Sequence, residues 1–379
     1  MDVTRLLSDL VAVNSVNPSL VPGAPGEAEV AEVAAQALRD AGLDVVIELA
    51  AEGRPNVIGV LEGREPGPSM MFCGHLDTVG VSGMDEPFFP FIDNGRLYGR
   101  GAQDMKGGVA AMIAAAAALA PTWSRGRLIV ACVADEEFES LGADALVKTW
   151  KADAAIVTEP TDLRMAVGHK GFAWLEVETK GRAAHGSRPA EGRDAILRMG
   201  RVLNGLEARD RELQAREPVP MQGTASLHAS IIAGGHELSS YPDRCTLQME
   251  RRTVTGEDGK AAVAEVQAIF ARLKAADHEF AATARLVTAR PPYRVEDDAR
   301  IVQAMAAVLQ ARGLNHAPTG MSFWTDAAIL AGAGIPSVIF GPGGAGLHSI
   351  EEYVTLADVE TCRDVLVDVV RKMSSEAIS

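Results

Sequence analysis

Ser69-Met70-Met71-Phe72-Cys73-Gly74-His75-Leu76-Asp77-Thr78 reads as a buried strand running straight into a polar turn. Alternate residues of an extended chain share a face, so His75 and Asp77 project together. An imidazole that binds a metal commonly gives its other ring nitrogen to such an acid. Histidine followed two residues later by an acid is frequent by chance, however, and the pair decides nothing until the rest of the chain supplies partners.

Working outward, strand-like apolar runs occupy Asp44–Glu48, Asn56–Leu61, Arg96–Gly99, Arg127–Ala134, Ala154–Val157 and Ser337–Phe340. Helical spacing marks Val3–Val13, Glu27–Ala41, Asp298–Arg312 and Leu356–Met373, and Val109–Ala120 lacks a polar face, as a helix buried all round does. This alternation predicts an α/β domain whose mixed sheet is covered by helices on both faces. From Phe172 the character changes. The runs Ala173–Thr179, Ala225–Ile232, Cys245–Glu250 and Glu279–Leu286 alternate apolar with polar, and with helices Arg193–Ala208 and Lys260–Ala275 they take the order βαββαβ, a small ferredoxin-like sandwich. The expected organisation is one domain from 1–170 and 290–379, with a second, 171–289, inserted into it.

The 379 residues, 47% hydrophobic, suffice for two cores. Against 36 basic residues stand 51 acidic ones, and the net charge of −15 repels phosphate backbones and anionic lipid, which argues against nucleic-acid and membrane partners. The chain does not open on a charged n-region and apolar h-region, and the most apolar helix, Gly107–Ala120, looks too short to cross a bilayer, so a cytoplasmic protein is expected. Cys73, Cys132, Cys245 and Cys362 are widely spaced and suit buried thiols, leaving histidine and carboxylate as the ligands for any metal.

His75, the pair Glu136-Glu137, Glu159 and His348 all follow strand-like runs, at the edge where open α/β sheets bind ligands; Asp104 precedes the buried helix. Two histidines and several carboxylates suit zinc, with cobalt or manganese as substitutes. Two divalent ions roughly 3.5–4 Å apart need a bridging carboxylate, and each needs one further carboxylate and one histidine. Asp104 can bridge, His75 and Glu159 can complete one site, and Glu137 and His348 the other. Glu136 is left over, which is the position of a general base.

With these residues go the runs Gly74–Val79, Tyr98–Gly108, Asp135-Glu136-Glu137, Thr158-Glu159-Pro160 and Gly341-Pro342-Gly343 with His348. Together they resemble, in order and over nearly the whole chain, the co-catalytic zinc aminoacylase and carboxypeptidase family, which includes acetylornithine deacetylase and succinyl-diaminopimelate desuccinylase. The resemblance implies a zinc-peptidase-like catalytic domain, and an inserted lid that also forms a homodimer interface. It assigns His75, Asp104, Glu137, Glu159 and His348 as ligands, Asp77 as the acid orienting His75, and Glu136 as catalytic base. Gly181–Ser187 is similar to the family's lid motif, making His185 the donor that reaches a partner's active site and stabilises the oxyanion. Arg252 matches the residue that receives the substrate carboxylate, although neighbouring Arg251 leaves the register open, and pairing of Arg252 with an acid of its own domain is the competing reading. Ser239 stands where the family usually has asparagine.

The expected reaction is hydrolysis of an amide in a small N-acyl amino acid or short peptide, with an acetylornithine-type deacylase first and a glutamate-type carboxypeptidase or dipeptidase second. A non-catalytic relative would be expected to lack Glu136 or a ligand, and none is missing.

Overall fold

The strand behind His75 runs from Glu65 to His75, and its second half, Met70–His75, is buried. In the computed structural model, which describes residues 1–375, it lies between two parallel neighbours. Arg125–Val133 sits on one side, in a register that sets His75 opposite Val133, and Ala154–Val157 on the other, setting Cys73 opposite Val157. Ser337–Ile339 continues the parallel set beyond Ala154–Val157. The carboxyl-terminal parts of these four strands are buried because both faces of the sheet are covered there, and being parallel they deliver their carboxyl ends to one edge. The sheet runs Asp44–Ala51, Arg54–Glu62, Arg125–Val133, Glu65–His75, Ala154–Val157, Ser337–Ile339, Ala166–His169, with antiparallel pairing at both ends.

Helix Ala28–Asp40 shows how local sequence sets the boundaries. Gly42 takes φ +85°, its N–H donates to the Arg39 carbonyl and that of Leu43 to Leu38, so the helix ends where a left-handed residue is available. The first helix ends at Val11 rather than Val13, and the buried Lys106 ammonium takes up the carbonyls of Leu10 and Val13. Helix Gly107–Leu119 packs on Leu356–Ser375. A Cβ on Gly108 would lie 1.9 Å from the Thr158 carbonyl oxygen, so glycine is what lets this helix approach the strand end that precedes Glu159. One expectation is corrected here: a π turn at Ala102–Lys106 and a 3-10 turn at Ala120–Thr122 extend the helix to a 21-residue run, long and apolar enough to cross a membrane by length and composition. Most of it, 72% of the apolar window, is buried inside the protein, where it supplies the core.

A second, small sheet was not anticipated beyond the strand at Arg96. Its order is Gly344–Ala345, Tyr353–Thr355, Arg96–Tyr98, Phe91–Asp93. The hairpin between the last two turns on Asn94 and Gly95, at φ +47° and +75°, the pair of positive angles that a two-residue hairpin with strand-matched twist demands. Pairing of Tyr353–Thr355 with Arg96–Tyr98 brings the loop carrying His348 beside the segment that leads into Asp104.

By contacts the described chain divides into two units, one of residues 1–167, 295–319 and 325 onward, the other of 168–294 and 320–324. The second contains strands Gly171–Lys180, Ser226–Gly234, Arg244–Thr253 and Ala281–Arg290 in an antiparallel sheet, with Ser226–Gly234 at one edge. Its helices, Ala195–Gln214 and Gly259–Ala276, are capped by the carboxylates of Asp194 and Asp258 and share a core with the sheet that includes Leu175, Val202, Leu247 and Ile269. The element order is βαββαβ. The segment 320–324, expected in the first domain, belongs here: the Trp324 ring meets Phe172 edge-on at 5.9 Å and its indole N–H donates to the Pro291 carbonyl at 3.1 Å. Aromatic burial overrides chain continuity at that point.

Candidate metal centre

His75 is the last residue of its strand and only 1% exposed. Its Nδ1 contacts the backbone carbonyl of Asp77 at 2.9 Å, while Nε2 faces Asp104 Oδ1 at 3.1 Å and Glu159 Oε1 at 3.9 Å. The Asp77 carboxylate lies farther from Nδ1, at 3.5 Å. The carbonyl is thus the nearer partner of the ring and the carboxylate stands within ion-pair reach of it, with further work besides.

That work is the turn after strand Arg125–Val133. Asp77 Oδ1 accepts the N–H of Glu136 and Oδ2 that of Glu137, both at 3.1 Å, and Oδ2 also accepts from Asn17 Nδ2 at 2.8 Å. Asp135 turns the chain at φ +68°. Its carboxylate accepts from Asn17 and from Arg54, whose guanidinium is held in a two-bond fork by Glu27, with both bonds 2.6 Å. Adjacent glutamates on a strand would point to opposite faces, but on this turn Glu137 reaches His348 while Glu136 stays half-buried beside Glu159 and His75. In the sequence reading Asn17 and Arg54 carry no role, Glu27 enters only as a helix start and Asp135 only as part of the Asp135-Glu136-Glu137 run.

Asp104 sits in the π turn and faces both histidines, with Oδ1 toward His75 and Oδ2 3.4 Å from His348 Nε2. His348, about half exposed, places the same Nε2 3.1 Å from Glu137 Oε2. Two groups of possible ligands result, His75–Asp104–Glu159 and Asp104–Glu137–His348, with Asp104 common to both.

The charges fit divalent cations. Burial, reinforced by neighbouring carboxylates, holds the Glu136 and Glu159 carboxyls well above the usual range and pushes Glu137 up to about 7. Burial alone would depress the His75 imidazolium, but Asp104 and Asp77 outweigh it and its pKa is well raised; Asp104 and Glu137 lift His348 to about 10. Burial would raise Asp104 too, yet the two imidazoles hold it below the usual carboxylate range. A cluster that keeps protons on its imidazoles and glutamates because it has too many buried carboxylates is one whose protons divalent ions displace. Glu137 Oε1 is buried without a hydrogen-bond partner, a lone pair left for a ligand. Any ion pair would be held by the two groups above, with Asp104 between them.

The remaining candidates lie in the second unit. His185 is exposed, and its Nδ1 lies 2.8 Å from the Ser187 hydroxyl and 3.2 Å from the Ser187 backbone nitrogen, so these contacts use one side of the ring. Arg251 is buried and bound to Glu257 and Glu265 at 3.0 and 3.1 Å, which makes it structural. Arg252, the residue read as the carboxylate clamp, is ion-paired with Glu250 at 2.6 Å. Of the two readings left open for it, pairing within its own unit is the one seen.

Residues 71–372 match the model of Peptidase family M20/M25/M40. The chain is 31% identical over 376 residues to an acetylornithine deacetylase of Myxococcus xanthus, covering 95% of this chain and 94% of that one. Among solved structures, aminopeptidase PepT from Bacillus cereus superposes with a TM-score of 0.80 at 20% identity, over 98% of each chain. The Bacillus subtilis YXEP protein, described as a dinuclear metal binding peptidase, superposes at 0.72 with 16% identity, again over 98% of each. With the family model spanning most of its length and a relative above 30% identity end to end, the chain belongs to Peptidase family M20/M25/M40 and is an enzyme of that hydrolase family.

Proposed function

We propose that the protein hydrolyses the amide bond of small N-acyl amino acids, as an acetylornithine deacetylase-like enzyme, with two divalent ions, zinc first and cobalt or manganese as substitutes. The observation that carries this is Asp104, whose two carboxylate oxygens face His75 and His348 while Glu159 and Glu137 complete two ligand groups. The Myxococcus xanthus relative supports the deacylase over the peptidase reading.

Bound there, the ions would supply an acidified water and a polarised carbonyl. Glu136, on the turn fixed by Asp77, takes a proton from the attacking water and returns it to the leaving amine, so that a C–O bond forms, the C–N bond breaks and the proton ends on nitrogen. His185, through the ring nitrogen not held by Ser187, donates to the developing oxyanion across a homodimer built on the inserted unit. For Arg252 to clamp the substrate carboxylate it must exchange Glu250 for it. The setting is cytoplasmic.

The test is Glu136→Gln in zinc- and cobalt-loaded protein, assayed against N-acetyl amino acids, N-succinyl-diaminopimelate and dipeptides. Turnover should fall by roughly 10²–10⁴ with metal content unchanged. Retained turnover removes Glu136 as base, and activity confined to dipeptides moves the enzyme to the peptidase side.

A further inference from the structure

Glu352, four residues after His348, has no part in the chemistry above, yet four donors converge on its carboxylate. Oε1 accepts the backbone N–H groups of Gln103 and Asp104 at 2.9 and 3.0 Å, and Oε2 accepts that of Gly101 at 3.0 Å and Arg100 Nη1 at 2.6 Å. The residue is 1% exposed. Arg100 uses its other terminal nitrogen on the Ser349 carbonyl at 2.8 Å, the residue next to His348. One buried ion pair thus ties the backbone of the Asp104 turn to the loop that carries His348.

We infer that Glu352 is a positioning residue for the metal centre, fixing Asp104 between its two histidines and, through Arg100, fixing His348 against Asp104 and Glu137. The physical need is specific. Gly101 caps the turn and Gln103 and Asp104 stand in its first residues, so the N–H groups at 101, 103 and 104 have no preceding helical carbonyl to donate to. A carboxylate with two oxygens and several lone pairs satisfies them where water cannot enter, and its charge is matched by Arg100. The small sheet delivers Glu352 to this spot, since Tyr353 pairs with Tyr98 and the Gly99 N–H donates to the Glu352 carbonyl at 3.1 Å. A glutamate placed to satisfy a loop and nothing more would not bridge two loops that each end in a ligand of the same group.

The inference rests on the two-ion reading, and cobalt titration of the whole protein followed by visible absorption separates the two. Wild type should bind two cobalt ions. Glu352→Gln turns an N–H₂ toward backbone donors and should weaken binding by roughly 10–100-fold, as loss of an outer partner of a ligand does. The ion held by His348 should suffer more, with a changed d–d spectrum; Glu352→Asp, which keeps the charge, should restore part of both. Should Glu352→Gln not fold, Arg100→Lys keeps the charge but cannot hold Glu352 and Ser349 together, and should weaken the same ion. Unchanged cobalt affinity and spectrum in the folded variants would overturn the inference while leaving the metal centre standing. A wild type that takes up no cobalt would overturn both.

Discussion

Replacing Arg54 by methionine tests how the turn carrying Glu136 and Glu137 is held. Arg54 is 8% exposed in its side chain and both its acidic partners, Glu27 and Asp135, are fully buried. It makes two bonds to Glu27 and one to Asp135, so the substitution strands two carboxylates in the interior. Removing one member of such a buried group costs about 3–5 kcal/mol, a large share of the roughly 5–15 kcal/mol that holds a domain together. For a unit of this size that is a fall in Tm of roughly 6–20 °C by calorimetry. The loss should depend on pH. Burial, with the charge of Asp77, already raises the Glu27 pKa above its usual 4.5 against the pull of Arg54, and without Arg54 it rises further. A raised folded-state pKa gives stability that is full below the unfolded value and lost as pH climbs through the folded one, so the variant should recover toward pH 5 and be worst near pH 8. Glu27→Leu with Arg54→Met removes the pair together, leaving Asp135 to Asn17, and should be more stable than Arg54→Met alone. A single variant within about 1 kcal/mol of wild type, or a double variant weaker than the single, would refute the reasoning.

Two further outcomes concern the second unit. Arg251→Met should cost about 1.5–3 kcal/mol, since it removes a buried guanidinium's charged bonds to Glu257 and Glu265, which keep Arg216 and Arg209 as partners, whereas Arg252→Met, about a third exposed, should cost at most about 1 kcal/mol yet lower kcat/KM by roughly 10–100-fold if it binds the substrate carboxylate; denaturation and steady-state kinetics on both decide it, and the reverse order of stabilities would sink the assignment. The edge strand Ser226–Gly234 leaves Ile231 and Ile232 more than half exposed, with Leu238 fully so, an apolar rim suited to a second copy. Ile231→Lys with Ile232→Lys should yield monomers in sedimentation, and a wild type already monomeric at micromolar concentration would remove the dimer from the proposal.

Three of the ligand candidates, His75, Glu137 and Glu159, were legible because parallel strands carry their own address. A continuous apolar run such as Ala154–Val157 says that both faces are covered, and hence that Thr158 and Glu159 stand at the common carboxyl edge. What holds those residues was harder to see. Glu27 and Arg54 are 27 positions apart, Glu352 and Asp104 are 248, and nothing in their local spacing distinguishes a buried carboxylate from one in solvent. One signal was present and unused: Asn94-Gly95 marks the hairpin that seeds the small sheet, and the sheet brings Glu352 to the Asp104 turn. The stretch that decided the fold changes meaning accordingly. His-x-Asp suggests an acid that steadies its own histidine, and in the folded chain the Asp77 carbonyl is the nearer partner of His75, while its carboxylate, 3.5 Å from the ring, also gathers Glu136, Glu137 and Asn17. Asp77 therefore links strand to turn, so that the position of the candidate base is set by the residue that also sets the first histidine. A change at Asp77 should disturb both groups at once, whereas a change at Glu352 enters through Asp104 and His348.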